Sequence, residues 1–95
     1  MSTDRVRDAH NIIQGQLQPD DDTDFPDKLP NEHGGSVTFV LNVPERIVER
    51  LTQDCQSAFV NFGACSIQTK APKDPSTSDR RGLWITIDVG GRRTL

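Results

Sequence analysis

Two arginine pairs are the side chains of this chain best suited to hold a charged ligand. Arg80-Arg81 and Arg92-Arg93 flank the last apolar run, where an antiparallel neighbour could bring other charges near. They could clamp phosphate groups or an acidic peptide. The same positions also suit charges that keep a hydrophobic strand soluble. Few aromatic residues lie among the arginines and the chain has no tyrosine, which argues against a platform for stacked bases.

The other reactive side chains form no pattern that predicts catalysis. His10 and His33 are far apart in polar segments, and no cysteine or histidine stands at ligand spacing, so we expect solvated histidines and no metal site. Cys55 and Cys65 lack CxxC spacing, which predicts buried free thiols in a reducing compartment. No serine, threonine or cysteine can be matched to a base, and no spaced-glycine motif for phosphate occurs. We therefore expect no enzymatic activity and no cofactor.

Length and charge limit the class of protein further. The chain has 95 residues, 33% of them hydrophobic, which allows one domain with a thin core. Residues 1–35 carry eight Asp or Glu against three Lys or Arg, whereas 36–95 carry six against eight, a weak footprint for nucleic-acid binding. No apolar run approaches the length of about 20 residues that a bilayer requires, and the N-terminus is too charged for a signal peptide. We expect no membrane association and an intracellular protein, cytoplasmic or nuclear.

The first 35 residues divide into a predicted helix and a predicted linker. Residues 1–18 should form an amphipathic helix, because apolar residues recur there at helical spacing: Val6, Ala9, Ile13 and Leu17. Residues 19–35 combine three prolines, clustered aspartates and a glycine pair, which is typical of a flexible acidic linker. Phe25 and Leu29 within it could be sparse contacts or a short acidic-hydrophobic binding motif.

Residues 36–95 carry the pattern of an α+β interaction domain. Alternating apolar residues predict a strand over 36–43, and apolar residues at steps of three or four predict a helix over 44–62. Gly63 would end that helix in the left-handed conformation. A shorter, more polar strand over 64–70 and an apolar strand over 83–89 follow, with a loop between them.

The polarity of these strands predicts their order in the sheet. The most apolar strand, 83–89, belongs at the centre, and the polar strand 64–70 belongs at an edge. If 83–89 lies antiparallel between two parallel strands, the chain forms a split β-α-β unit, a ferredoxin-like plait with a three-stranded sheet and one or two helices in the order αβαββ. Helices would cover one face. The other face, with Val40, Trp84 and Thr86, would stay open or bind another molecule, including a second copy of the chain.

Several residues of the segment 36–70 match the sequence of a known protein family. These are Asn42-Val43-Pro44, Arg46, Glu49-Arg50-Leu51, Gln56, Gly63, Ser66 and Gln68. The segment, roughly a third of the chain, resembles the strand-helix-strand part of the N-terminal, TRADD-N-like domain of the nuclear receptor coactivator 6 family. The resemblance implies a ferredoxin-like plait and protein association in transcriptional complexes. Upstream of residue 36 the chain departs from the family, and its 47–51 reads IVERL where a receptor motif would read LxxLL.

Three functions fit these observations. The first is a non-enzymatic protein-protein interaction or adaptor domain, such as a transcriptional coactivator component. It would bind through the edge 64–70, the face around Trp84 or the acidic linker. The second is a weak nucleic-acid-binding module that uses the two arginine pairs. The third is a small viral or phage inhibitory or decoy protein whose acidic segment imitates a ligand.

Overall fold

The fold is an α+β arrangement in the order that the sequence predicts. The computed structural model describes residues 2–71, 76 and 79–89, and of residues 2–4 the backbone alone. Its elements are α1 (Ser2–Gln16), β1 (Ser36–Pro44), a 3-10 turn (Glu45–Ile47) that continues into α2 (Val48–Ala58), β2 (Cys65–Lys70) and β3 (Arg80–Asp88). The predicted αβαββ layout is confirmed.

The last strand lies at the centre of the sheet. The strand order is β1-β3-β2, and β3 is antiparallel to both neighbours. β1 and β2 therefore run parallel to each other with α2 connecting them, which is the split β-α-β arrangement. The register aligns Val40 with Trp84 on one side and Trp84 with Gln68 on the other. The prediction that the most apolar strand is central and the most polar one is at an edge is confirmed.

The core lies between one face of the sheet and the two helices. Alternate residues of β1 and β3 are buried on that face, because side chains of a strand point to opposite sides in turn. The strand contribution is Val37, Phe39, Leu41, Val43, Leu83, Ile85 and Ile87. The helical contribution is Val6, Ala9 and Ile13 from α1, with Ile47, Leu51, Cys55 and Phe59 from the 3-10 turn, α2 and its C-cap.

The first helix is docked on the domain. Its apolar stripe belongs to the same core, and Arg5 adds a polar contact at its N-terminal end. The Arg5 guanidinium lies 3.8 Å from the centroid of the Phe62 ring and donates a hydrogen bond of 2.8 Å to the Phe62 carbonyl. Helix α1 therefore contacts the turn that follows α2. It begins at Ser2 and ends at Gln16, two residues before the predicted end.

The role predicted for Gly63 is wrong. Helix α2 ends at Ala58, and among the described glycines the positive φ angles are those of Gly34 and Gly35. Gly63 instead lies against the end of β3: a Cβ at this position would be 2.7 Å from the Asp88 carbonyl oxygen. Glycine is required here because two backbone segments approach closely. A left-handed backbone conformation is not the reason.

The acidic segment 19–35 packs against the domain, which differs from the expectation of an unpacked linker. Asp24 and Asn42 exchange two backbone hydrogen bonds, of 3.0 and 3.2 Å, and His33 and Ser36 exchange two of 2.8 and 3.1 Å. Phe25 stacks on the ring of His10 at a centroid distance of 4.4 Å. Average composition describes the segment poorly because a few residues at specific positions supply these contacts.

His10 is buried, so the expectation of a solvated histidine is wrong at this position. Its ring lies between Phe25 and Phe39, whose ring centroids are 4.4 and 6.1 Å away. Its Nε2 is 3.0 Å from the Pro26 carbonyl oxygen. A lone histidine in a polar stretch gave no local sign of these partners, since Phe39 comes from β1.

Replacement of Gly63 by alanine should destabilise the fold, because the added methyl group would overlap the Asp88 backbone. We expect Gly63→Ala to lower the free energy of unfolding by about 1–3 kcal/mol, the usual cost of overpacking. Chemical denaturation monitored by circular dichroism measures it.

Gly15→Ala is the matched control. A Cβ at Gly15 meets nothing within 4 Å, and alanine in a helix is favoured over glycine by roughly 0.5–1 kcal/mol. The two substitutions should therefore change stability in opposite directions. Equal effects would contradict the close-approach explanation.

Candidate interaction surface

The open face of the sheet carries short rows of side chains, each with one residue from each of the three strands. The central row is Val40, Trp84 and Gln68, and a neighbouring row is Thr38, Thr86 and Ser66. Val40 is 44% exposed and Trp84 is 37% exposed, so two large apolar side chains lie side by side on this face. The hydroxyl oxygens of Thr38 and Thr86 are 3.0 Å apart, in hydrogen-bond contact. The residues predicted for this face, Val40, Trp84 and Thr86, lie on it.

Trp84 is held in place by its neighbours on the same face. The Lys70 ammonium lies 4.2 Å from the centroid of the Trp84 ring, within the range of a cation–π contact. The indole also extends over Gly82, since a Cβ there would be 3.4 Å from the indole nitrogen Nε1. Glycine at residue 82 leaves room for the ring. The result is a half-exposed aromatic surface bordered by a positive charge.

Arg80 and Arg81 lie within β3, whereas the sequence placed them in the preceding loop. Arg80 donates from Nε to the Asn42 side-chain oxygen at 2.7 Å and from Nη2 to the carbonyl oxygens of Asn42 and Asp22, at 2.9 and 2.8 Å. Arg81 pairs with Glu45, its Nη2 being 3.1 Å from Oε2. Both arginines are therefore engaged inside the domain. Arg92 and Arg93 lie outside the described residues.

The acidic segment is bound by arginines that the sequence did not single out. Arg50 of α2 forms ion pairs with Asp21 at 2.6 Å and Asp54 at 2.7 Å. The Asp21 side chain is 7% exposed, and the same Oδ2 atom also accepts a hydrogen bond of 2.8 Å from the Gln18 backbone N–H. The pKa of Arg50 is raised overall. Partial burial lowers it, but the hydrogen bonds and charges of Asp21 and Asp54 together raise it by more.

These partners could not be inferred from local sequence patterns. Asp21 and Arg50 are 29 residues apart, and each stands among residues of like or mixed charge. The signal that was present is the excess of acid before residue 36 and of base after it. Opposite net charges on two parts of one chain favour contact between them.

The outer edge of β1 is partly occupied by the acidic segment. In β1, the backbone groups of the even-numbered residues point away from β3. The hydrogen bonds of Ser36 to His33 and of Asn42 to Asp24 show this. Asp24 thus acts as a short fragment of an extra strand. The segment covers this edge near both of its ends.

The outer edge of β2 is different. Asp88 N–H donates to the Ala64 carbonyl oxygen, so the even-numbered residues of β2 face β3 in hydrogen-bonded pairs. The N–H and C=O groups of Cys65, Ile67 and Thr69 consequently point outward. No hydrogen bond from elsewhere in residues 2–71, 76 and 79–89 reaches them. With respect to the described residues, this edge is a row of unpaired donors and acceptors at the spacing of a strand.

The two thiols are poorly suited to nucleophilic chemistry. Burial raises the pKa of the Cys55 thiol to about 12, with smaller upward contributions from Cys65 and Asp54 and a downward one from Arg50. Burial also raises the pKa of Cys65. Both side chains are therefore thiols at neutral pH, and the thiolate is the nucleophilic form. Both cysteines are free.

Other kinds of site find no support in the part of the chain that the structure describes. Within it, no three His, Cys, Asp or Glu side chains are grouped so that they could hold a metal ion. No helix there is both long and apolar enough to cross a membrane. No family model, curated protein or solved structure matches the chain.

The raised pKa of Cys55 predicts a loss of stability in alkali. Between pH 9, the ordinary thiol pKa, and pH 12 the unfolded chain releases the Cys55 proton while the folded chain keeps it. Stability must then fall with rising pH, by up to about 1.4 kcal/mol per pH unit from this one group. Cys55→Ala removes the group, so the stability difference between wild type and variant should shrink from pH 8 to pH 10.

Urea unfolding at pH 8, 9 and 10 provides the measurement. Cys65→Ala is the control, because the Cys65 side chain is less buried and its stability difference should change less. A wild-type-to-Cys55→Ala difference that stays constant across this range would contradict the assignment.

Proposed function

We propose that this chain is a non-enzymatic protein-interaction domain that binds an extended segment of its partner along the edge of β2. The observation that supports the proposal is the row of outward N–H and C=O groups at Cys65, Ile67 and Thr69. Unpaired edges of this kind are templates for an additional strand, and several peptide-binding domains use them in that way.

The side chains beside the edge indicate which kind of partner sequence would fit. On the core side, Cys65 and Ile67 are only partly buried, so apolar residues at alternate positions of an added strand would complete their burial. On the open side, an added strand would extend the row of Val40, Trp84 and Gln68 by one residue. A segment with alternating apolar and polar residues fits both sides.

A second copy of the chain satisfies these requirements. If two β2 strands pair antiparallel about Ile67, Cys65 of one copy faces Thr69 of the other. Lys70 then lies opposite Ala64 of the other copy, whose β3 neighbour is Asp88. Lys70 and Asp88 then lie on the same face with the small Ala64 side chain between them, and their opposite charges favour this register. We infer a homodimer with a continuous six-stranded sheet.

The setting that we propose is an adaptor role in intracellular, nuclear complexes. It rests on the resemblance of residues 36–70 to the N-terminal domain of the nuclear receptor coactivator 6 family, in which a ferredoxin-like plait mediates protein association. Free cysteines are consistent with a reducing compartment.

The nucleic-acid alternative gains nothing from the described arginines. Arg80 is engaged by Asp22 and Asn42, and Arg81 by Glu45. Phosphate binding would have to displace these carboxylates. No observation favours this function over protein binding.

Thr69→Pro should abolish strand addition without unfolding the domain. Proline removes an N–H that points outward and makes no bond to the described residues, and edge strands tolerate proline there. Thr69→Ala, which keeps the N–H, is the matched control. In light scattering at high protein concentration, we expect wild type and Thr69→Ala at twice the monomer mass and Thr69→Pro at the monomer mass.

If all three proteins are monomers, the second copy is not the partner. Quantitative affinity capture then compares the same three proteins, and a true edge partner is recovered with wild type and Thr69→Ala but lost with Thr69→Pro. Partners that bind all three proteins equally would refute binding at the β2 edge.

A further inference from the structure

Residues 20–22 are held by arginines from three different elements. Arg46 of the 3-10 turn donates to the Asp20 carbonyl oxygen at 3.2 Å, and Arg50 of α2 to the Asp21 carboxylate at 2.6 Å. Arg80 of β3 donates to the Asp22 carbonyl oxygen at 2.8 Å and to its carboxylate at 3.3 Å. We call Arg46, Arg50 and Arg80 the three-arginine site. Three consecutive aspartates thus lie beside three positively charged side chains.

The next residues of the segment continue the same mode of binding. Asp24 pairs with Asn42 through two antiparallel backbone hydrogen bonds. The Phe25 ring then lies against His10 at 4.4 Å and near Phe39 at 6.1 Å. Charge recognition, strand pairing and an aromatic anchor are the means by which protein surfaces bind extended peptides. Here all three act on a segment of the chain itself.

We propose that the three-arginine site and the adjoining edge of β1 form a binding site for an acidic, extended peptide of a partner protein, which residues 20–25 occupy in cis. This site is distinct from the β2 edge, because β1 and β2 form opposite edges of the sheet. The partner segment would carry consecutive acidic residues followed, three to five positions on, by an aromatic side chain.

The contacts favour a peptide over a nucleic acid. Arg46 and Arg80 donate to peptide carbonyl oxygens, and Asn42 exchanges N–H and C=O bonds with Asp24. A phosphate backbone offers acceptors for arginine but no N–H for the Asn42 carbonyl. A nucleic acid would therefore use only part of the site.

The exposure of the contacts favours exchange with an external peptide. The Asp22 side chain is 81% exposed, and Arg46 and Asp20 are exposed as well. Asp22 has a φ angle of 52°, a conformation that residues other than glycine adopt at a cost, and this cost opposes binding of the internal segment. Among residues 20–25, only Asp21 is fully buried. The internal segment is held by the Asp21–Arg50 pair, the Asp24–Asn42 bonds and the Phe25 ring, and its covalent connection to the domain keeps it close to the site.

The test uses the full chain and a fluorescein-labelled peptide with the sequence of residues 18–30, followed by fluorescence anisotropy. Asp21→Asn in the protein weakens the internal segment and leaves the peptide unchanged. We expect the apparent Kd to fall at least tenfold relative to wild type. Adding Arg50→Gln to this variant should remove that gain, whereas adding Arg7→Gln, at an exposed position of α1, should not.

Two further measurements locate the peptide. Thr69→Pro should leave its affinity unchanged, because it alters the opposite edge. A single-stranded oligonucleotide of equal charge should displace the peptide at least tenfold less effectively than the unlabelled peptide does. Equal displacement would mean that charge alone is recognised and would overturn the proposal.

Circular dichroism melts confirm that each variant is folded. If Asp21→Asn does not fold, Asp22→Asn replaces it, since the Asp22 carboxylate is exposed and asparagine tolerates a positive φ. A gain of about threefold is then expected, because only a surface ion pair is lost. Equal affinity of folded wild type and variant for the peptide, or an affinity that Arg50→Gln does not change, would overturn the proposal.

Discussion

Both hydrogen-bond ladders of the sheet run through β3, which lies between β1 and β2. The register extends from Ser36 with Asp88 to Pro44 with Arg80, and from Cys65 with Ile87 to Lys70 with Gly82. Leu83, Ile85 and Ile87 of this strand are completely buried, so each contributes on the order of 2–5 kcal/mol by comparison with alanine. The hydrophobic alternation of β3 is thus the constraint on which the sheet, the core and both edges depend.

A central third strand leaves two edges, and the chain treats them differently. The β1 edge is covered near its ends by backbone bonds from Asp24 and His33, so the acidic segment acts as a partial fourth strand. The segment can do so because Asp21 and Phe25 fix it on either side of an exposed turn. The same contacts bring α1 back onto the core, where His10 stacks on Phe25. The β2 edge has no such cover within the described residues, and its short, polar sequence ending in Lys70 limits non-specific pairing.

Local periodicity predicted the elements well because it reflects which side of a strand or helix is buried. The alternation in β1 and β3 identified both strands, their core faces and the open-face positions of Val40 and Trp84. The strand order followed from polarity. The sequence placed the start of β3 too late because Arg80 and Arg81 are charged, yet the pairing of Arg81 with Val43 depends on backbone groups and not on side-chain polarity.

Contacts between distant parts of the chain could not be read from the sequence. Gly63 matters because it meets Asp88 from another element, and His10 is buried by Phe39 from β1. The Asp21–Arg50 pair likewise joins two segments that are separately unremarkable. Of the candidate site, the open face could therefore be predicted, and the arrangement of arginines around the acidic segment could not.

Arg80 connects the sheet to the acidic segment outside it. Its guanidinium shares the Asn42 carbonyl oxygen with the Asp24 N–H, so one atom of β1 accepts from both the strand beside it and the segment outside it. The β1–β3 ladder itself uses the odd-numbered residues of both strands, whose bonds do not involve Asp24. Displacement of the segment would therefore remove contacts at the β1 edge and leave the ladder intact. Because β3 keeps the two edges two strands apart, a ligand at one edge need not compete with a strand at the other, which is the geometry that the proposed adaptor role requires.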